Sequence, residues 1–167
     1  EENGTVKKAN LESEWYSYEK KEWANSIILD DQYETLNSQG KVAGATKNDG
    51  YVSFDGVDDY IDLGLENYEF TEGIALSATF NLTKDQTSYI LGNWEGAGGG
   101  LYYYSSKIRF ELYINGQYSM IYADCTVGSQ INVIGTYDNQ VMRLYINGKL
   151  VDEYAVEGVI KASSMPL

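Results

Sequence analysis

From Gly50 onward, apolar residues recur at every second position. Ile74, Leu76, Ala78, Phe80 and Leu82 alternate with Ala75, Ser77, Thr79 and Asn81. Ile108, Phe110, Leu112 and Ile114 alternate with Arg109, Glu111 and Tyr113, and Tyr118, Met120 and Tyr122 alternate with Ser119 and Ile121. Val52 with Phe54, Ile61 with Leu63, and Met142 with Leu144 and Ile146 repeat the pattern, while 89–91, 131–137 and 150–156 read as further short strands. A period of two places alternate side chains on opposite faces of a strand. No helical stripe runs through 50–157, and the one proline is Pro166. Asn115-Gly116 and Asn147-Gly148 separate strand runs. Asn-Gly tolerates the two positive φ angles of a type I′ turn, so each pair predicts a tight hairpin.

Many short strands with turn signals between them predict two packed antiparallel sheets, an all-β jelly-roll sandwich. The alternating apolar sets are expected to line its interior, with Phe54, Phe80 and Phe110 among them. Residues 1–25 mix lysines and glutamates and read as an N-terminal appendage to a domain spanning 26–167. Within 26–49, Asp30-Asp31, Asn37-Ser38 and Gly40 punctuate an apolar Ile27-Ile28-Leu29, which reads as connecting structure.

Composition narrows the chemistry. At 167 residues the chain is long enough to bury a core without staples. The single cysteine, Cys125, excludes an internal disulfide and reads as a small buried hydrophobe. No histidine is present, which removes the commonest general base and transition-metal ligand. Twelve basic against twenty-five acidic residues give a net charge of −13, which repels nucleic acid and anionic membrane. No apolar run is long enough for a membrane-spanning helix. The polar start, Glu1-Glu2-Asn3-Gly4, fits a cytosolic chain or the mature form of an exported one. Sixteen tyrosines suit strands and contact surfaces, because each ring carries a polar tip.

Two stretches carry a resemblance. Phe54-Asp55-Gly56-Val57-Asp58-Asp59-Tyr60-Ile61, and Asn132 to Gly148 ending in Leu144-Tyr145-Ile146-Asn147-Gly148, are similar to signatures of the laminin-G-like (LamG-like jelly roll) domains of the concanavalin A-like lectin/glucanase superfamily. Ile74 to Phe80 resembles the strand between them, with Ala78 where the family often has tryptophan and Asn132 where it usually has histidine. The resemblance implies a two-sheet sandwich, here lacking the family's usual closing C-terminal strand, which would follow Leu167. Glu14 to Ser26, with Trp15-Tyr16-Ser17-Tyr18 and Trp23-Ala24-Asn25, resembles a segment of surface and prepilin-like proteins of Gram-positive bacteria. Its plainer reading is two short strands.

Candidate sites follow from residue type. Asp55, Asp58 and Asp59, with Asp62 beyond them, could ligate Ca2+, an ion that takes six to eight oxygens, or could form an Asx-type turn. Trp94 and Glu95, ahead of a glycine run, and Tyr102 and Tyr104 after it could contact a ligand, since aromatic faces stack on sugar rings and a carboxylate orients hydroxyls; the alternative is a loop with half its tyrosines buried. No catalytic residues are assigned. The paired carboxylates of sandwich glycosidases have no counterpart run here, and no histidine is present for a triad.

The expectation is therefore not an enzyme. It is an extracellular, non-catalytic recognition or adhesion module on a bacterial cell surface or pilus, binding a glycan or protein ligand and contacting other domains or pilus subunits. The alternative is a purely structural spacer, and the weakest reading is a glycoside hydrolase. Neither nucleic acid nor membrane insertion is expected.

Overall fold

A computed structural model of the chain describes residues 14–17, 22–25, 29–63, 73–93, 97–161 and 163. These divide into two compact units, residues 1–63 and 64–167.

In the first unit, β1 (Glu14–Ser17) and β2 (Glu22–Asn25) pair antiparallel, as the plainer reading of that segment expects. An α-helix, α1 (Leu29–Ser38), occupies the stretch expected to be a connection. The signals are present in hindsight. Tyr33 and Leu36, three apart, share one helical face, acidic residues such as Asp30 and Asp31 favour the first turn of a helix, and Gly40 follows the last turn. Tyr33 and Leu36 are buried, and the Tyr33 hydroxyl donates to the Ala45 carbonyl at 2.6 Å. Gly40 takes a φ of 72°, and the Lys41 N–H closes back on the Leu36 carbonyl at 3.0 Å. β3 (Val42–Ala43) pairs with β6 (Tyr60–Ile61), and β4 (Thr46–Asn48) with β5 (Tyr51–Ser53). Phe54, expected in the core, is 48% exposed. β5 ends at Ser53, so the alternation that made Phe54 a partner of Val52 stops before reaching it.

The second unit is the sandwich. One antiparallel sheet has the order β14-β13-β12-β7, formed by Lys149–Ala155, Val141–Ile146, Gln130–Tyr137 and Ile74–Asn81. The other has the order β11-β10-β9-β8, formed by Gln117–Asp124, Lys107–Ile114, Gly99–Tyr104 and Ser88–Asn93. Ile108, Phe110, Leu112 and Ile114 are all buried and join Leu76, Leu101, Val133, Met142 and Leu144 in one core, with Phe80 at its margin. Cys125 belongs to that core as expected, and burial pushes its thiol pKa up.

The sheets approach closely at Gly135. A Cβ there would lie 2.6 Å from the Phe110 ring, so a glycine is what lets the facing strands meet. Both Asn-Gly pairs form two-residue hairpin turns with positive φ: 50° and 87° at 115–116, 50° and 76° at 147–148. A third hairpin, β9 to β10, turns on Ser105 and Ser106 at φ 52° and 59°, although serine adopts this region reluctantly. After β14 the chain crosses between the sheets. Val156 and Gly158 donate to the carbonyls of Gln140 and Asn139, and Ile160 bridges Ile114. The Asn115 side chain holds this crossing, donating to the Glu157 carbonyl at 2.7 Å.

The β11 register puts Ser119 and Ile121 in the core and leaves Tyr118, Met120 and Tyr122 exposed, the opposite of an interior lined by the larger set. The Asn115-Gly116 turn sets this register: with Phe110 inward, its partner Ile121 must point inward too.

Candidate functional site

Tyr102 and Tyr104 lie on the same side of β9, while Leu101 and Tyr103 between and beside them enter the core. The Ser105-Ser106 turn places Tyr102 opposite Arg109 and Tyr104 opposite Lys107. The Asn115-Gly116 turn then places Arg109 opposite Tyr122 and Tyr113 opposite Tyr118. On the other flank Tyr89 of β8 pairs with Tyr102. The outer face of this sheet thus carries Tyr89, Tyr102, Tyr104, Tyr113, Tyr118 and Tyr122. Tyr89, Tyr104, Tyr118 and Tyr122 are exposed, Tyr89 at 72%.

Cations lie against these rings. The Arg109 guanidinium sits 4.6 Å from the Tyr104 ring centre and 5.7 Å from that of Tyr102. Lys107 Nζ is 5.1 Å from the Tyr122 ring centre, and Lys161 Nζ is 5.7 Å from that of Tyr113. Such contacts attract a cation to the electron-rich ring face. Ring pairs add to the packing: Tyr89 and Tyr102 are 6.1 Å apart and tilted, and Tyr113 meets Tyr118 edge-on at 4.8 Å.

Glu111 anchors the middle of the face. It is only 8% exposed, and its Oε2 accepts the Tyr102 hydroxyl proton at 2.8 Å. Burial raises the Tyr102 pKa, and the bond to the Glu111 carboxylate raises it further. Arg109 Nη1 makes a long 3.5 Å contact to the same hydroxyl. At the corner Lys107 and Asp124 form an ion pair at 2.5 Å. The face therefore offers flat aromatic surfaces, a fixed hydroxyl and a guanidinium, which are groups for holding a ligand.

Of the residues assigned from sequence, Tyr102 and Tyr104 are brought together, with Arg109 against both rings. Trp94 and Glu95 lie outside the described residues. Arg109, Glu111, Tyr89 and Tyr122 escaped sequence reasoning, although the hairpin registers on either side of β10 would have placed Arg109, Glu111 and Tyr122 on one face with Tyr102.

The three aspartates belong to the unit of residues 1–63. Oxygens of Asp55, Asp58 and Asp59 lie within 4.8 Å of one another. The Asp55 N–H donates to Asp59 Oδ2 at 2.7 Å, and the Val57 N–H donates to Asp55 Oδ1 at 2.7 Å, which is an Asx-type turn. An all-oxygen donor set suits a hard cation, but three carboxylates leave half or more of a calcium shell to backbone carbonyls and water. Asp62 is not part of this group.

Among the described residues no helix is long and apolar enough to cross a membrane. No curated protein matches the chain. Among solved structures, a Trp-to-Ala mutant of HCR/D is similar at a TM-score of 0.56 and 18% identity, over 74% of this chain and 36% of that one. The receptor binding domain of botulinum neurotoxin mosaic serotype C/D is similar at 0.48 and 18%, over 56% of this chain and 27% of that one. That of serotype G gives 0.48 and 12%, over 64% and 30%. The chain spans about a third or less of the length of these structures. The HCR/D likeness supports the sandwich fold alone. The Laminin_G_3 profile matches residues 55–167, and with it the chain belongs to the concanavalin A-like lectin/glucanases superfamily.

Proposed function

We propose that the sandwich is a non-catalytic recognition module that binds a glycan on the tyrosine-bearing face of β8–β11, outside the cell, on a bacterial surface or pilus. The exposed tyrosines carry this reading. A contiguous patch of exposed rings marks a contact surface, and a flat ring with a polar tip suits a pyranose, which has an apolar face and hydroxyl edges. Trp94 and Glu95, which follow β8 directly, are part of the same proposal. Glu111 is the central carboxylate of the face and is held by Tyr102, while Asp124 is held by Lys107. This arrangement favours binding over the two-carboxylate chemistry of glycoside hydrolysis. The test is a glycan array probed with the whole chain. At least one glycan binds, and Tyr122→Ala weakens that signal without lowering the melting temperature. A blank array returns the module to the role of a spacer.

We also propose that Asp55, Asp58 and Asp59 hold Ca2+, which would neutralise the converged carboxylates and fix their loop. A ligand bound only by the folded state raises the melting temperature. Calcium should raise the midpoint relative to a chelator, and Asp58→Asn should erase the difference. An unchanged midpoint on chelation leaves the cluster as an Asx-type turn.

A further inference from the structure

Arg109 is the one guanidinium on the tyrosine face, and its donors are nearly idle. Arginine presents five N–H groups in a rigid planar fork. Here Nη1 makes the 3.5 Å contact to the Tyr102 hydroxyl, while Nε is buried with no hydrogen-bond partner. Among the described residues Arg109 makes no ion pair, although Glu111 stands two residues along the same face and takes the Tyr102 hydroxyl instead. A buried guanidinium N–H without an acceptor, beside a second N–H that makes only a long contact, is an unfavourable arrangement. It becomes favourable when an anion is supplied from outside.

The placement of charge points the same way. Residues 64–167 contain six cations: Lys84, Lys107, Arg109, Arg143, Lys149 and Lys161. Three of them, Lys107, Arg109 and Lys161, lie over tyrosine rings of this one face, in a chain whose net charge is −13. The face gathers these cations on an acidic molecule; Asp124 pairs with Lys107 and Tyr102 holds Glu111, which leaves Arg109 and Lys161 without an ion pair among the described residues. Dense polyanions such as nucleic acids or heavily sulfated chains are repelled by that surrounding charge. A ring bearing a single carboxylate meets little of it and finds both complements side by side, with tyrosine for its apolar face and the guanidinium fork for its carboxylate.

We propose that the ligand of this face is a carboxylate-bearing pyranose, a uronic or sialic acid residue, with Arg109 as the residue that selects the acid. This rests on the glycan-binding reading above and adds the class of sugar.

The test compares matched pairs on the whole chain by titration calorimetry: oligogalacturonate against its carboxyl-reduced form, and sialyllactose against lactose. The first pair reports an internal uronate, the second a terminal sialic acid. At least one acid binds about tenfold more tightly than its neutral partner, the scale of a hydrogen bond to a charged group. Arg109→Gln brings the two within about twofold, whereas Tyr104→Ala weakens both members and keeps their ratio. Equal binding of acid and neutral partners by the unaltered chain overturns the inference and leaves glycan recognition standing. A preference that survives in Arg109→Gln overturns the role of Arg109. Absence of binding to every member, together with a blank array, removes both readings. If Arg109→Gln fails to fold, the matched pairs on the unaltered chain decide the sugar class, and Arg109→Lys, which keeps the charge but loses the fork, decides the role of Arg109: a preference reduced toward the neutral partner supports it, and an unchanged preference overturns it.

Discussion

The two sheets of the sandwich present different outer faces on the same backbone plan. Outward positions of β7 are Ala75, Ser77, Thr79 and Asn81, all exposed, and the Asn132 side chain of β12 donates to Thr79 Oγ1 at 3.0 Å. Outward positions of β8–β11 include the tyrosines with Met120, the cations Lys107 and Arg109, and the carboxylates Glu111 and Asp124. The contrast is sharpest in the two arginines. Arg143 on the first sheet is 2.7 Å from Asp138 and 3.9 Å from Glu153. Arg109 on the second lies against two rings and, among the described residues, forms no ion pair. Inward residues are constrained by the shared core, so the faces differ where the fold leaves residues free to differ. The first sheet also exposes Leu150, Val151 and Tyr154 along its edge strand β14, but the contiguous set of rings on β8–β11 marks where binding is to be sought.

The largest effect should ignore the contrast altogether. Phe110 belongs to the core beneath both faces, so Phe110→Ala is expected to cost about 3–5 kcal/mol of stability, read by chemical denaturation. A loss confined to ligand binding would mean that the two sheets do not share that core. The direct comparison comes next. Tyr104→Ala is expected to weaken glycan binding about tenfold, roughly 1.4 kcal/mol, with little change in melting temperature, while Thr79→Ala on the other sheet changes neither. Equal losses from both would erase the distinction between the faces.

A smaller effect tests the turn that sets the register of Tyr102 and Tyr104. Ser105 takes a conformation that asparagine tolerates better, so Ser105→Asn should raise stability by about 0.5 kcal/mol with binding unchanged. The smallest concerns the paired arginine. Burial alone would raise the Asp138 pKa, but Arg143 and the N–H groups of Val141 and Gln140 hold it below the ordinary carboxylate value. A depressed carboxylate stabilises the fold above its unfolded pKa of about 3.9 and loses that contribution as pH falls through the folded value. Melting curves of the native chain and Asp138→Asn should therefore converge as the solution is acidified below about pH 4.

Much of this architecture is legible in the sequence. The alternation at Ile108, Phe110, Leu112 and Ile114 identifies four buried residues, and the two Asn-Gly pairs identify two hairpins, because sterics leave each pattern few outcomes. The failures also have physical causes. Tyrosine is at home inside and outside, so Tyr102-Tyr103-Tyr104 carries no visible period, yet Tyr103 is buried and Tyr104 exposed. For the same reason Tyr118 and Tyr122 pass for lining while Ile121 fills the core. Helix α1 is short, and its Asp and Gly signals also read as loop punctuation. Phe54 was carried past the end of its strand by a rule that holds only within one. Tyr102 and Tyr104 were found by residue type alone. Arg109 and Glu111 required the register of the Ser105-Ser106 turn, which carries no Asn-Gly signal to mark it.

The meeting of Gly135 with the Phe110 ring makes these two positions a single volume divided between opposite layers. Neither can change size alone: a methyl group gained at one must be given up by the other. Substitutions here should travel as couples through the descendants of this domain, bulk passing from one layer to the other while their sum stays fixed.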